Sequence, residues 1–80
     1  MINSLIRTIP ARELLGFGKT QQYDEIRKGL HPKPVRIGTR ATGFPANEMK
    51  ALIDARIAGK SDSEIRTLIA AMHAARQQLA

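Results

Sequence analysis

Lys19, Thr20, Gln21, Gln22 and Tyr23, then Arg27, Lys33, Arg36, Thr39 and Arg40, are the side chains of this sequence best suited to chemistry. They are cations, amides and hydroxyls, the groups that neutralise phosphates and donate to or accept from base edges. The densest run is Arg27 to Phe44, which holds Arg27, Lys28, Lys33, Arg36 and Arg40 and no acid. It also carries the punctuation of a short β-hairpin: Val35-Arg36-Ile37, a Gly38-Thr39-Arg40-Ala41 turn, then Thr42-Gly43-Phe44. A basic hairpin that follows two short helices is the layout of a small DNA-binding domain with a wing.

The elements that must position these residues follow from helix and turn chemistry. A first helix starts at Thr8 or Ile9, because Pro10 is tolerated only in a first turn, and runs to about Leu15. Gly16-Phe17-Gly18 breaks it. A second helix runs from Lys19 to about Lys28 and stops at Gly29, with Tyr23, Ile26 and Leu30 as its apolar face. Two short helices joined by a glycine turn make a helix-turn-helix candidate. His31-Pro32-Lys33-Pro34 is extended, since each Pro also excludes helix from its predecessor. A third helix, from about Pro45 to Ala58, carries Met49, Leu52, Ile53 and Ile57 as a stripe and ends at Gly59. Ser61 and Glu64 form a capping box that opens a fourth helix, whose apolar face is Ile65, Leu68, Ile69, Met72 and Leu79. Phe17, Ile26, Phe44, Leu52 and Ile53 are the expected core. The division expected is an N-terminal arm at 1–8, a DNA-binding domain at 9–58 and a C-terminal amphipathic helix at 61–79.

Composition sets the outer limits. Eighty residues make one small domain, and 42% apolar residues are enough for a core. There is no Cys, so neither disulfides nor thiolate–metal bonds hold the fold. The expected location is the cytoplasm. The stretch from Met1 to Leu15 lacks the apolar core and cleavage site of a signal peptide, and no apolar run approaches the roughly 20 residues of a membrane span. The formal charge of +6 is unevenly spread. Residues 1–44 hold eight Lys/Arg against Glu13, Asp24 and Glu25, whereas residues 45–80 hold five against four acids. The excess lies where counterion release would favour nucleic acid.

Other chemistries find little support. Gly18-Lys19-Thr20 matches the end of a phosphate-binding P-loop, but the earlier Gly is replaced by Glu13 and no strand precedes it. His31 and His73 lie in separate elements without a carboxylate partner at useful spacing, and a metal cluster is lacking. Ser61 and Ser63 are explained by capping, and Ser4 has no base nearby. No enzyme activity and no cofactor are expected. With Phe17, Tyr23 and Phe44 its only aromatics, the chain also lacks the stacking platform of a single-stranded RNA module.

The run from Ile9 to Ile57 resembles the AlpA family of short prophage-type regulators and excisionase-like proteins. Gly16-Phe17-Gly18-Lys19-Thr20-Gln21-Gln22-Tyr23 stands where the family has "G-L-S-R-S-T-I-Y". Pro32 to Ala41 matches its "F-P-x-P-V-K-L-G-x-R-A" wing, Phe44 stands where Trp is usual, and Asn47 to Ile53 matches "S-E-V-x-x-W-I". The chain departs from the pattern at Asp24 and Glu25, acids after the Tyr that should point away from phosphate. It departs again at Gln22, in place of an apolar residue, which faces either core or DNA.

The resemblance implies a mainly α fold with a small β-hairpin: a winged helix-turn-helix of the MerR and excisionase kind, plus an extra C-terminal helix. It implies a sequence-specific DNA-binding protein of a prophage or mobile element, acting as an excisionase, a transcriptional regulator or both. In such a domain Lys19, Thr20, Gln21 and Gln22 enter the major groove. Tyr23 packs its ring in the core and offers its hydroxyl to a phosphate. Lys33 and Arg36 clamp the backbone, and Thr39 and Arg40 take the hairpin tip to the minor groove or phosphates. Arg27, at the helix end, serves phosphate or the helix dipole. The expected partners are double-stranded DNA, an integrase or recombinase for the excisionase role, and further copies of the chain, on DNA or through the C-terminal helix. No membrane is expected. The alternative is a protein-interaction module in which the fourth helix self-associates or docks a partner.

Overall fold

The computed structural model describes residues 4–79, the side chain of Leu79 excepted. Strand β1 (Leu5–Arg7) leads directly into helix α1 (Thr8–Leu14), followed by α2 (Lys19–Arg27), the strands β2 (Val35–Arg36) and β3 (Thr42–Pro45), and helices α3 (Ala46–Ile57) and α4 (Asp62–Arg76). A turn of 3-10 helix, Gln77–Leu79, ends the described chain. The three strands form one antiparallel sheet in the order β1-β3-β2. Helices and hairpin thus form where the sequence predicts them. Residues 5–7, within the expected N-terminal arm, add a strand on the far side of β3.

Backbone chemistry at the helix ends explains the short connections. At the end of α1, Phe17 N–H reaches Arg12 O (2.9 Å) and Gly16 N–H reaches Glu13 O (3.1 Å). At the end of α2, Leu30 N–H reaches Glu25 O (2.9 Å) and Gly29 N–H reaches Ile26 O (3.2 Å). This paired closure requires a left-handed residue just past the helix, and Gly16 (φ 73°) and Gly29 (φ 79°) supply it. The α4 start is the expected capping box: Ser61 Oγ accepts from Glu64 N–H (3.2 Å), and Glu64 Oε1 accepts from Ser61 N–H (3.1 Å).

Two apolar clusters meet at Leu15. One gathers Ala11, Phe44 and Met49, with Ile6 and Ile26 against them. The other gathers Leu30, Leu52, Ala55, Ile65, Ile69 and Met72, with Ala51 and Leu68 alongside. The apolar stripe of α4 is therefore folded into the domain, and Leu79, expected on the same stripe, has its side chain outside the described residues. The His31 ring sits edge-on to Phe44, with centroids 4.9 Å apart.

Three expectations about the core are corrected. Tyr23 is 52% exposed, and the buried face of α2 is instead Gln22, at 0%, with Ile26 one turn on. Leu30 and the half-buried Ile26 face the core as expected, and Gln22 takes the place expected of Tyr23. Ile57 is 80% exposed because α3 ends there, and the inner positions are Glu48, Met49, Leu52 and Ala55. Phe17 and Ile53 are half-buried boundary residues, whereas Phe44 and Leu52 are fully enclosed.

Candidate nucleic-acid interface

Helix α2 starts at Gly18, which is extended and offers no side chain to cap the first amides. Lys19, Thr20 and Gln21 follow in the first turn, all exposed. Lys19, Tyr23 and Arg27 then lie on one exposed row at four-residue spacing, away from buried Gln22 and half-buried Ile26. Gln21 is set to the side, in a depression shared with Leu14, Phe17, Glu25 and Arg56.

Gln22 is the expected site residue that the fold withdraws. Its side chain is buried, Nε2 donates to Thr8 O at 3.4 Å, and Oε1 has no partner. Of the two faces open to it, core or DNA, the fold turns it to the core. There it fixes α2 against the first turn of α1. Thr8 Oγ1 in turn lies 3.0 Å from Thr42 Oγ1, so polar contacts run from α2 through α1 to β3. Gln22 and Thr8 thus link the two elements that carry the candidate residues, a link no sequence pattern signals.

The two acids of α2 are engaged. Asp24 pairs with Lys28 (2.9 Å) and Arg27 (3.1 Å), and the Lys28 ammonium holds its carboxyl below the usual range. Glu25 turns inward toward Arg56 at 3.7 Å. The charge of Arg27 is thereby shared with Asp24 before any ligand arrives.

The hairpin is different. Lys33, Arg36, Thr39 and Arg40 are all exposed, and none of the three cations has an ion pair among the described residues. The tip is closed by Ile37 N–H to Ala41 O at 2.8 Å. Its base is clamped from α4: Lys33 N–H donates to His73 Nε2 (3.1 Å), and Arg76 Nη2 donates to Lys33 O (2.8 Å). The same guanidinium makes a two-pronged bond to Glu48, with Nη2 to Oε1 at 2.6 Å and Nε to Oε2 at 2.9 Å. Arg66 Nε donates to Lys28 O (3.0 Å), which ties α4 to the end of α2 as well. Burial, with Arg76 and Lys33 nearby, pushes the His73 imidazole down, and burial does the same to His31.

A division of charge follows. In the second half of the chain Lys50 pairs with Asp54, Arg56 with Glu25 and Asp62, Lys60 with Glu64, and Arg76 with Glu48. Among the described residues the cations without an ion pair are Arg7, Arg12, Lys19, Lys33, Arg36, Arg40 and Arg66, and Arg66 alone of these comes from the second half. The fold pairs the cations of the second half with acids, Arg66 excepted, and leaves those of β1, α1, the start of α2 and the hairpin without an acid partner among the described residues. Among the described residues no helix is long and apolar enough to cross a membrane, and no three His, Cys, Asp or Glu come together as a metal site would need.

The family model described as prophage CP4-57 regulatory protein (AlpA) matches residues 4–57, from the lead-in to β1 through the end of α3. Helix α4 lies beyond that match. No curated protein and no solved structure matches the chain. With two-thirds of its length in that model, the chain belongs to the AlpA family of prophage regulatory proteins, which are DNA-binding regulators of phage type.

Proposed function

We propose that this protein is a sequence-specific DNA-binding protein of a prophage or mobile element, built as a winged helix and acting as excisionase, transcriptional regulator or both. The first turn of α2 enters the major groove with Lys19, Thr20 and Gln21. Tyr23 and Arg27, further along the same exposed row, meet the backbone. The β2–β3 hairpin is the wing, with Lys33 and Arg36 on phosphates and Thr39 and Arg40 at the minor groove or the flanking backbone.

The observation that carries this reading is the division of charge. Cations on the α2 start and the hairpin lack ion pairs among the described residues, while four of the five in the second half are paired internally. Cations left without an acid partner are the ones a phosphate backbone can neutralise. The alternative, an interaction module on α4, has less support, because Ile65, Ile69 and Met72 of its stripe are buried in the domain's own core and Leu68 is half-buried.

Selection of bound fragments from the source genome, followed by a salt titration of the best site with wild type beside Arg40→Ala, tests the proposal. Recurrent sites, a steep salt slope and weakening by Arg40→Ala are expected. Sites flanking an integrase attachment sequence indicate the excisionase role, and promoter sites the regulatory one. Absence of enrichment, with weak binding indifferent to Arg40, would refute it.

A further inference from the structure

A shallow cleft opens where the end of β1 and the first turn of α1 meet the hairpin, lined by Arg7, Thr8, Ile9, Pro10, Arg40 and Thr42. Arg40 is a candidate contact already; Arg7 and the two threonines belong to no motif. Arg7 and Arg40 come from sequence positions far apart, both are exposed, and neither has an ion pair among the described residues. Pairing of Arg7 with Gly43 in the sheet fixes the Arg7 backbone beside the hairpin. Both arginines line one concavity, so an anion held there would be attracted by two like charges that have no acid partner.

The hydroxyls add donors. Thr8 Oγ1 and Thr42 Oγ1 are 3.0 Å apart, and either can be the donor. When Thr8 donates to Thr42, the Thr42 proton is left to turn to an anion. The alternative acceptor for Thr8, the Thr42 carbonyl, is a longer 3.4 Å away. A tetrahedral oxyanion with several acceptor oxygens suits two forked cations and a rotatable hydroxyl.

We propose that this cleft binds a phosphate group, and that its occupant is a backbone phosphate of the duplex, held by Arg7 together with Arg40 and Thr42. The inference rests on the DNA-binding reading above and extends the footprint from the hairpin tip to the β1–α1 junction. Such a contact adds affinity without sequence information.

The test compares wild type, Arg7→Gln, Arg7→Lys and Lys60→Gln on the selected duplex and on an unrelated duplex over a salt series. Lys60→Gln removes equal charge outside the cleft. Arg7→Gln should reduce the slope of log affinity against log salt by about 0.9, the value for one phosphate. The reduction should appear equally on both duplexes, with Arg7→Lys restoring most of the slope. In parallel, inorganic phosphate titrated against the protein without DNA should shift the amides of Thr8 and Thr42 in wild type and not in Arg7→Gln. A wild type that binds duplex while Arg7→Gln keeps its slope overturns the cleft and leaves the hairpin reading standing. A wild type that binds no duplex overturns both, and a phosphate titration that still shifts Thr8 and Thr42 would then assign the cleft to a free anion.

Discussion

The guanidinium of Arg76 grips both carboxylate oxygens of Glu48, at 2.6 and 2.9 Å, and with the same Nη2 holds the carbonyl of Lys33. One side chain near the C-terminal end of α4 therefore fixes the first turn of α3 and the base of the hairpin. Glu48 is nearly buried and Arg76 is about a fifth exposed, so the pair is partly screened from water. Arg76→Met should destabilise the protein by about 2–4 kcal/mol, chiefly because Glu48 is left as an uncompensated buried charge. Adding Glu48→Gln should recover part of that loss. Urea denaturation of the single and double variants measures both, and an Arg76→Met midpoint equal to wild type would contradict the assignment.

His31 and His73 give the stability an acid limb. Both imidazoles are pushed below their ordinary value of about 6.5, His31 by burial and His73 by burial with Arg76 and Lys33 beside it. The folded state thus keeps them neutral at a pH where the unfolded chain binds protons. Stability is complete above the ordinary value and is lost as pH falls from there toward the folded-state values. His73 protonated at Nε2 could no longer accept from Lys33 N–H. Melting temperature should fall between pH 7 and pH 5, and His73→Gln, which keeps an acceptor, should flatten the fall. A wild-type curve flat across that range would refute the effect.

Gly43 lies between two strands with no room for a side chain. A Cβ there would stand 2.6 Å from Ile37 Cδ1 and 3.0 Å from the Ile6 carbonyl oxygen. The isoleucine can move, but the strand carbonyl cannot without breaking β1 from β3. Gly43→Ala should cost about 1–3 kcal/mol, the range for overpacking. Thermal melts of Gly43→Ala and of Gly43→Ala with Ile37→Val separate the two clashes, the double variant recovering only the isoleucine share.

Gln22 and Lys19 should part company in binding assays. Gln22→Met removes a long hydrogen bond and a carbonyl oxygen that has no partner, so stability should change by no more than about 1 kcal/mol. Base preference should be unchanged. Lys19→Ala should leave stability alone and weaken the selected site. A changed sequence preference in Gln22→Met would show that the burial of this residue is relieved on DNA.

Truncation after Lys60 should abolish cooperative unfolding, although the family match ends at residue 57. Without Ile65, Ile69 and Met72, the cluster around Leu30, Leu52 and Ala55 has no lid. Loss of a sharp thermal transition, with dye binding to exposed apolar surface, is the expected readout. A truncated protein that melts sharply near the wild-type temperature would mean the core closes without α4.

What was legible in the sequence is what local chemistry dictates. The glycine helix ends, the capping box at Ser61 and Glu64, and the hairpin turn at Gly38 to Ala41 are decided within a few residues. The cationic candidates of the hairpin could likewise be read from Lys33, Arg36 and Arg40 directly. Contacts across the chain could not. Strand β1 is three residues long and pairs with Phe44 and its neighbours, a partner no local pattern announces. Gln22 was ambiguous because a buried amide defeats a rule based on apolarity. The Arg76 clamp depends on Glu48 and Lys33, neither of them near it in sequence.

The sheet order also bears on how quickly the molecule assembles. Central strand β3 meets β2 across a short turn, but its other edge is filled by β1, with Leu5 opposite Pro45. The hairpin can close early, whereas β1 must await an encounter across about half of the chain, and loop closure of that length precedes any reward from the contact. A mainly helical protein of this size should therefore refold more slowly than its helices suggest, with the β1 edge formed late.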